Sequence, residues 1–229
     1  NATGQINQTH GCGVLLYTGD GGSSAVTMAH GMGTKPEFLW MKDRDSNGNN
    51  NQWEVWHHRM SADHYLYFSQ GAAQAASSNG TVDTDQVSDT LLAFNRTSTT
   101  GGSQTRFENG DNFIIYQFFG VEGHSKFGSF EGNGNADGSF VYLGFSPALV
   151  MIKSIDSTSD WEMYDNVRAG YNVDNNQLEV NDEAAQDTNN FLDLLSNGFK
   201  LRASSDPNVA ETYIYGAWAH NSLKYATAR

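Results

Sequence analysis

The chain has 229 residues, 38% of them hydrophobic, which is enough apolar material for one large domain or two small ones with real cores and too much for a disordered polypeptide. Acidic residues outnumber basic ones 26 to 13, giving a formal net charge of −13 and a pI near 4.7, so the basic footprint that nucleic acid or an anionic membrane surface requires is missing. The one cysteine, Cys12, excludes an intrachain disulfide and a cysteine-based zinc site.

The polar opening, residues 1–7, lacks the apolar run of a signal peptide. No stretch reaches the roughly 18–20 consecutive apolar residues of a membrane span, so membrane insertion is not expected. Apolar residues alternate with period two in segments 13–18, 38–42, 53–57, 65–68, 113–119, 140–143, 148–152 and 213–219, several of them rich in aromatic and β-branched residues. With 24 glycines, 3 prolines and Asn-Gly pairs at 47–48, 109–110 and 197–198, hairpins should dominate. The run from Leu192 to Leu201 reads as strand, tight Asn-Gly turn, strand. No long segment carries a helical period, and the expected fold is all-β.

The order of short motifs repeats along the chain. Tyr17-Thr18-Gly19-Asp20-Gly21 matches Phe130-Glu131-Gly132-Asn133-Gly134, and Lys35-Pro36 with the following Phe38-Leu39-Trp40-Met41-Lys42 matches Ser146-Pro147 with Leu149-Val150-Met151-Ile152-Lys153. Trp53-Glu54-Val55-Trp56 then matches Trp161-Glu162-Met163-Tyr164, and Ile115-Tyr116 with Phe119 matches Ile214-Tyr215 with Trp218. This internal duplication implies two tandem β-sandwich-like units, a first β repeat with an N-terminal arm over residues 1–126 and a second over 127–229. Leu39, Met41, Ile115, Leu149, Met151, Ile214 and Trp218 are the expected buried strand positions.

Segments 122–130, 132–138 and 140–145, with the His30-Gly31-Met32-Gly33-Thr34-Lys35-Pro36 string, the Ser196 to Arg202 hairpin and the ending Lys224-Tyr225-Ala226-Thr227-Ala228-Arg229, resemble a domain of unknown function common in marine phage virion proteins of tail-fibre type. The resemblance spans nearly the whole chain. It implies a place on the virion surface, outside the cell, in a fibre, spike or capsid decoration, with other virion subunits and a host-surface glycan or protein as partners and a homo-oligomer as the state of assembly. It implies no catalytic residues. The Asn-rich loop 43–51 is longer than the family pattern.

That loop satisfies the calcium-loop spacing D-x-[DN]-x-[DN]-G-x₅-E in full, from Asp43 through Asp45, Asn47 and Gly48 to Glu54. Calcium would take side-chain oxygens from Asp43, Asp45, Asn47 and Glu54 and the backbone carbonyl of Asn49. Against it, both flanks read as strands, and a solvated hairpin loop explains the same residues. Exposed aromatics are the usual hardware for glycan or partner binding; Trp56, Tyr65 and Tyr164 are the candidates, with Tyr67 and Tyr171 beside them. Glu54 and Glu162 recur at matched places, and a glycosidase needs a carboxyl pair, but duplication accounts for the recurrence without catalysis. The expected role is therefore a non-enzymatic external virion module for host attachment or subunit assembly, ahead of a capsid decoration protein and a glycan-degrading enzyme.

Overall fold

The computed structural model describes residues 2–19, 25–45, 52–76, 82–95, 110–168, 176–189 and 191–220. The chain is all-β, and among the described residues the one helical element is a single 3-10 turn, Gln8–His10. No helix there is long and apolar enough to cross a membrane. Two compact units emerge, one of Asn1–Phe68 with Gln74–Phe119, the other of Ser69–Ala73 with Gly120–Arg229.

In the first unit the strands are β1 (Ala2–Asn7), β2 (Cys12–Thr18), β3 (Val26–Ala29), β4 (Phe38–Asp43), β5 (Glu54–His57), β6 (His64–Tyr67), β7 (Ala75–Ala76), β8 (Leu91–Phe94) and β9 (Asn112–Phe118). Seven form one sheet in the order β1-β2-β9-β4-β5-β6-β7, while β3 pairs with β8. Alternation explains the layering: on β9, Phe113, Ile115 and Gln117 are buried while the residues between them are half-buried. Leu15, Tyr17, Leu39, Met41, Trp56, Phe113 and Ile115 of the large sheet meet Val26, Met28, Leu92, Ala93 and Phe94 of the small one in a single core.

The second unit holds β10 (Ser125–Glu131), β11 (Phe140–Tyr142), β12 (Pro147–Ser154), β13 (Glu162–Asp165), β14 (Leu178–Glu179), β15 (Leu192–Leu195), β16 (Gly198–Leu201) and β17 (Thr212–Ala219). Its sheets run β10-β17-β12-β13-β14 and β11-β16-β15. Val150, Ile152, Tyr164, Tyr213, Tyr215 and Ala217 of one pack with Val141, Leu192, Leu194, Phe199 and Leu201 of the other. Each unit is thus sandwich-like, with its core between two sheets.

The duplication is written in the strand pairing. The order β2-β9-β4-β5-β6 recurs as β10-β17-β12-β13-β14, and the small pair β3-β8 recurs as β11-β16. Met41 lies opposite Glu54 and Leu39 opposite Trp56; likewise Ile152 lies opposite Glu162 and Val150 opposite Tyr164. Trp53 and Trp161 are equivalent by the same register. The last strand departs from the sequence match. Phe38 pairs with Phe118 and its counterpart Leu149 with Trp218, so Ile115 corresponds to Tyr215, and Tyr116 to Gly216. Matching the two Ile-Tyr dipeptides slips the strand by one residue, which exchanges core and outer faces. Outside this frame stand β7 and β1 in the first unit and β15 in the second; β1 pairs with β2, whereas β10 has no second strand neighbour among the described residues.

The join expected at 126/127 falls inside β10, since the units divide between Phe119 and Gly120, after β9 ends. The 192–201 hairpin forms as expected, but Leu195 pairs with Gly198, so Ser196 and Asn197 make the turn. Gly198 instead answers a close approach: a Cβ there would lie 2.1 Å from the Val141 carbonyl oxygen.

Of the seven residues expected inside, Leu39, Met41, Ile115, Met151 and Ile214 are buried, while Leu149 and Trp218 are only half-buried. Trp218 sits on the outer face of β17, edge-on to Phe127 at 5.5 Å. Phe199, fully buried between the sheets, should lose about 3–5 kcal/mol on change to Ala. Trp218→Ala should cost clearly less. Urea unfolding of the two variants checks the order, and equal losses would place Trp218 in the core after all.

Candidate functional site

The calcium-loop residues divide between strand and loop. Asp43 ends β4, and its Oδ1 accepts a hydrogen bond from the Asp45 backbone N at 2.8 Å, an Asx-type turn at the loop entrance. Asp45 Oδ2 accepts from both the backbone N and the Nδ2 of Asn112, at 2.6 and 3.0 Å. That carboxylate ties the loop to the start of β9. Glu54 lies opposite Met41 on the core side of its sheet and is 2% exposed. Asn47 and Asn49 lie outside the described residues. Among the described residues no three His, Cys, Asp or Glu side chains converge as a metal group.

Trp56 and Tyr164, expected as exposed aromatics, are core residues, 2% and 0% exposed. Register explains it: both lie opposite buried aliphatic residues, Leu39 and Val150. Tyr65 is half-buried, its ring 5.0 Å from that of the buried Tyr67. Tyr171 lies outside the described residues. His57 is fully buried, with Nδ1 accepting from the Arg59 backbone N at 3.1 Å and its ring edge-on to Phe38.

A marked electrostatic perturbation lies inside the second unit. The Tyr164 hydroxyl donates to Glu162 Oε2 at 2.6 Å, and Glu162 is 3% exposed. Burial pushes the Glu162 carboxyl from its ordinary 4.5 up to about 8, against the Tyr164 hydrogen bond; Asp206, Glu179 and Asp160 add to the rise. Nearby, Lys153 is buried, with Nζ donating to the Ser154 carbonyl oxygen at 2.7 Å. Desolvation lowers its ammonium to about 8, with Asp206, Asp160, Glu211 and Glu162 pulling the other way. Around them the Tyr213 hydroxyl donates to Asp206 Oδ1 at 2.6 Å, and Ser154 and Ser157 both donate to Glu211 Oε2 at 2.7 and 2.6 Å. These acids and hydroxyls hydrogen-bond to one another, so the cluster reads as a polar network running from buried Glu162, Lys153 and Ser154 to half-buried Asp206, Glu211 and Ser157.

Groups free to meet another molecule lie on the outside of the β11-β16-β15 sheet. Phe140 and Tyr142 project from β11 to the face opposite buried Val141 and are 47% and 59% exposed. Phe140 pairs with Lys200 and Tyr142 with Gly198, so Lys200 stands beside the two rings and nothing rises opposite Tyr142. Lys200 Nζ meets Asp137 at 2.6 Å, holding the Asp137 carboxyl below the usual range, and Arg202 Nε meets Asp193 at 2.6 Å. Lys126 reaches over from β10: its Nζ donates to the Tyr142 carbonyl oxygen at 2.7 Å and sits 5.5 Å from the centre of the Tyr142 ring. The period of segment 140–143 marks the strand in the sequence; what goes unread there is which of its two faces stays uncovered.

On the first unit a groove of about 420 Å³ crosses β1, β2 and β9, lined in part by Cys12, Val14, Tyr116 and Phe118. Among the described residues no charged side chain lines it.

A family model described as Domain of unknown function (DUF7483) matches residues 1–222, and the chain belongs to that family. Comparison with curated proteins and with solved structures gives no match.

Two outcomes follow from these contacts. Because the folded state keeps the Glu162 proton up to about pH 8 while the unfolded chain loses it near 4.5, stability is fully present below about 4.5 and falls as pH rises toward 8. Lys153 acts oppositely above pH 8, where the unfolded chain holds the extra proton, so stability recovers toward 10.5. Urea midpoints at several pH values should therefore pass through a minimum near 8, and Glu162→Gln should flatten the fall from 5 to 8; a variant with the wild-type slope would assign the fall to other groups. Separately, Asp45→Ala frees the Asn112 donors and should cost about 1–2 kcal/mol. Melting with calcium and with chelator should show the same loss in both, and a loss seen in calcium alone would return Asp45 to a metal site.

Proposed function

We propose that this chain is a non-enzymatic structural and binding module of a phage virion, an external fibre or appendage domain that attaches to a host surface or joins neighbouring subunits. Its motif resemblance to tail-fibre-like virion domains supports the virion setting, and the acidic surface suits a soluble external protein. The observation that carries the binding role is the uncovered Phe140–Tyr142 face, an apolar and hydrogen-bonding surface held rigid by a sheet.

The glycosidase reading draws on the carboxyl pair Glu54 and Glu162. Each faces the core of its own unit at 2% and 3% exposure, and Glu162 is engaged by a tyrosine hydroxyl. A glycosidase instead brings two carboxyls to one open scissile bond. Repetition of the fold puts an acid at each place, and the interior of each sandwich is where those acids are used. Several identical copies in closed symmetry are the assembly we favour, in keeping with external phage proteins as a class.

The test is location and turnover together. Antibody to this chain should label purified particles at an external appendage, and particles or purified chain incubated with host polysaccharide should release no reducing ends. Release that disappears in Glu54→Gln or Glu162→Gln would replace the attachment module with an enzyme.

A further inference from the structure

We infer that Phe140, Tyr142 and Lys126 form a binding platform for an anionic polysaccharide, pyranose units bearing carboxylate or sulfate groups. The inference rests on the attachment reading above and names the ligand class of that surface.

Comparison of the two units shows that the fold does not require these aromatics. The counterpart of β11 is β3, whose partner β8 corresponds to β16, and the outward positions of β3 are Thr27 and Ala29, both exposed. Inward positions are alike in the two strands: Val26 and Met28 are buried on β3, as Val141 is on β11. The two strands share an apolar inner half, and β11 differs by carrying two large rings on its outer half. Rings two apart on one strand stand roughly 7 Å apart, which lets a disaccharide lie across both. The C–H-rich face of a pyranose is apolar and slightly positive, and it complements the negative face of an aromatic ring.

Charge gives the ligand its sign. Of the three cations at this face, Lys200 is bridged to Asp137 and Arg202 to Asp193, whereas Lys126 has no carboxylate partner among the described residues. Its Nζ is fixed at the Tyr142 end of the platform by the backbone carbonyl at 2.7 Å and by the ring at 5.5 Å. Against the chain's net charge of −13 the complementarity is local: Lys126, with no carboxylate partner among the described residues, stands beside two exposed rings and matches an acidic sugar there. An ammonium bonded to one carbonyl keeps further protons for a carboxylate or sulfate oxygen. Lys200 and Asp137 add hydrogen-bonding groups along the Phe140 side.

The experiment titrates the full chain with polygalacturonate, dextran sulfate and uncharged dextran by calorimetry at physiological salt. Wild type should bind one or both charged polymers and not dextran, the two charged arms separating carboxylate from sulfate recognition. Tyr142→Ala and Phe140→Ala should each weaken binding about tenfold or more. Lys126→Gln should weaken it and reduce its salt dependence, while Lys200→Gln and Thr27→Ala should change it little. Melting midpoints matching wild type show that the variants are folded; should Tyr142→Ala unfold, Lys126→Gln and Phe140→Ala carry the test. Wild type that ignores both charged polymers, or platform variants that bind like wild type, would overturn the inference. Binding of whole host cells that survives all three substitutions would remove the platform and leave the attachment reading standing, as would a captured protein partner that pairs with the β11 edge. Platform-dependent binding by a chain missing from purified particles would do the reverse.

Discussion

Successive side chains of a strand point to opposite faces, so every strand here has to satisfy two environments at once, and the hydrogen-bonded register with its neighbours decides which residue meets which. In both units the inner face of the large sheet is closed by a smaller sheet, and the residues that meet there are aromatic and aliphatic in the same rows. Once Leu39 and Trp56, or Val150 and Tyr164, lie opposite each other, the acids two residues further along are carried inward as well, next to Met41 and Ile152. The buried carboxyls are thus a consequence of register. For Glu162 the cost is met locally by the Tyr164 hydroxyl, and the buried Lys153 lies within electrostatic reach of that acid.

Much of this was legible in the residues. Period-two alternation located most strands, and the ordered recurrence of Lys35-Pro36 with Trp53-Glu54 against Ser146-Pro147 with Trp161-Glu162 found the duplication and the register of four strands. Where the match failed it failed by one residue, because two Ile-Tyr dipeptides in β9 and β17 look alike while their tyrosines face opposite ways. Period two identifies two faces without naming the inner one. For the same reason Trp56 and Tyr164 read as exposed, and Phe140 and Tyr142 as ordinary strand residues. A sequence does not state which outer faces stay bare; that depends on what the rest of the chain lays over them. The calcium pattern counts oxygens along the chain; of its residues, β5 turns Glu54 toward the core and Asn112 binds the Asp45 carboxylate, while Asn47 and Asn49 lie outside the described residues.

The two copies have diverged in a consistent direction. Core rows keep their apolar character with exchanged sizes, Trp56 against Tyr164 and Ile115 against Tyr215, as close packing of two separately filled interiors demands. Outer positions differ more, and there the second unit carries its exposed rings and a lysine with no carboxylate partner among the described residues. A duplicated sandwich lets one copy hold to the shared frame while the other varies a face, since changes on the outside of a sheet leave its interior rows untouched.

The unshared strand β1 has a consequence of its own. It covers the outer edge of β2, while the matching edge of β10 faces no second strand among the described residues. An uncovered edge offers a row of amides and carbonyls to any passing extended peptide, and charge on the strand is the usual guard. β10 carries Lys126 near one end and Glu131 at the other. The lysine that stands beside the exposed rings is therefore also a charge set along that edge, where it disfavours pairing with a further strand.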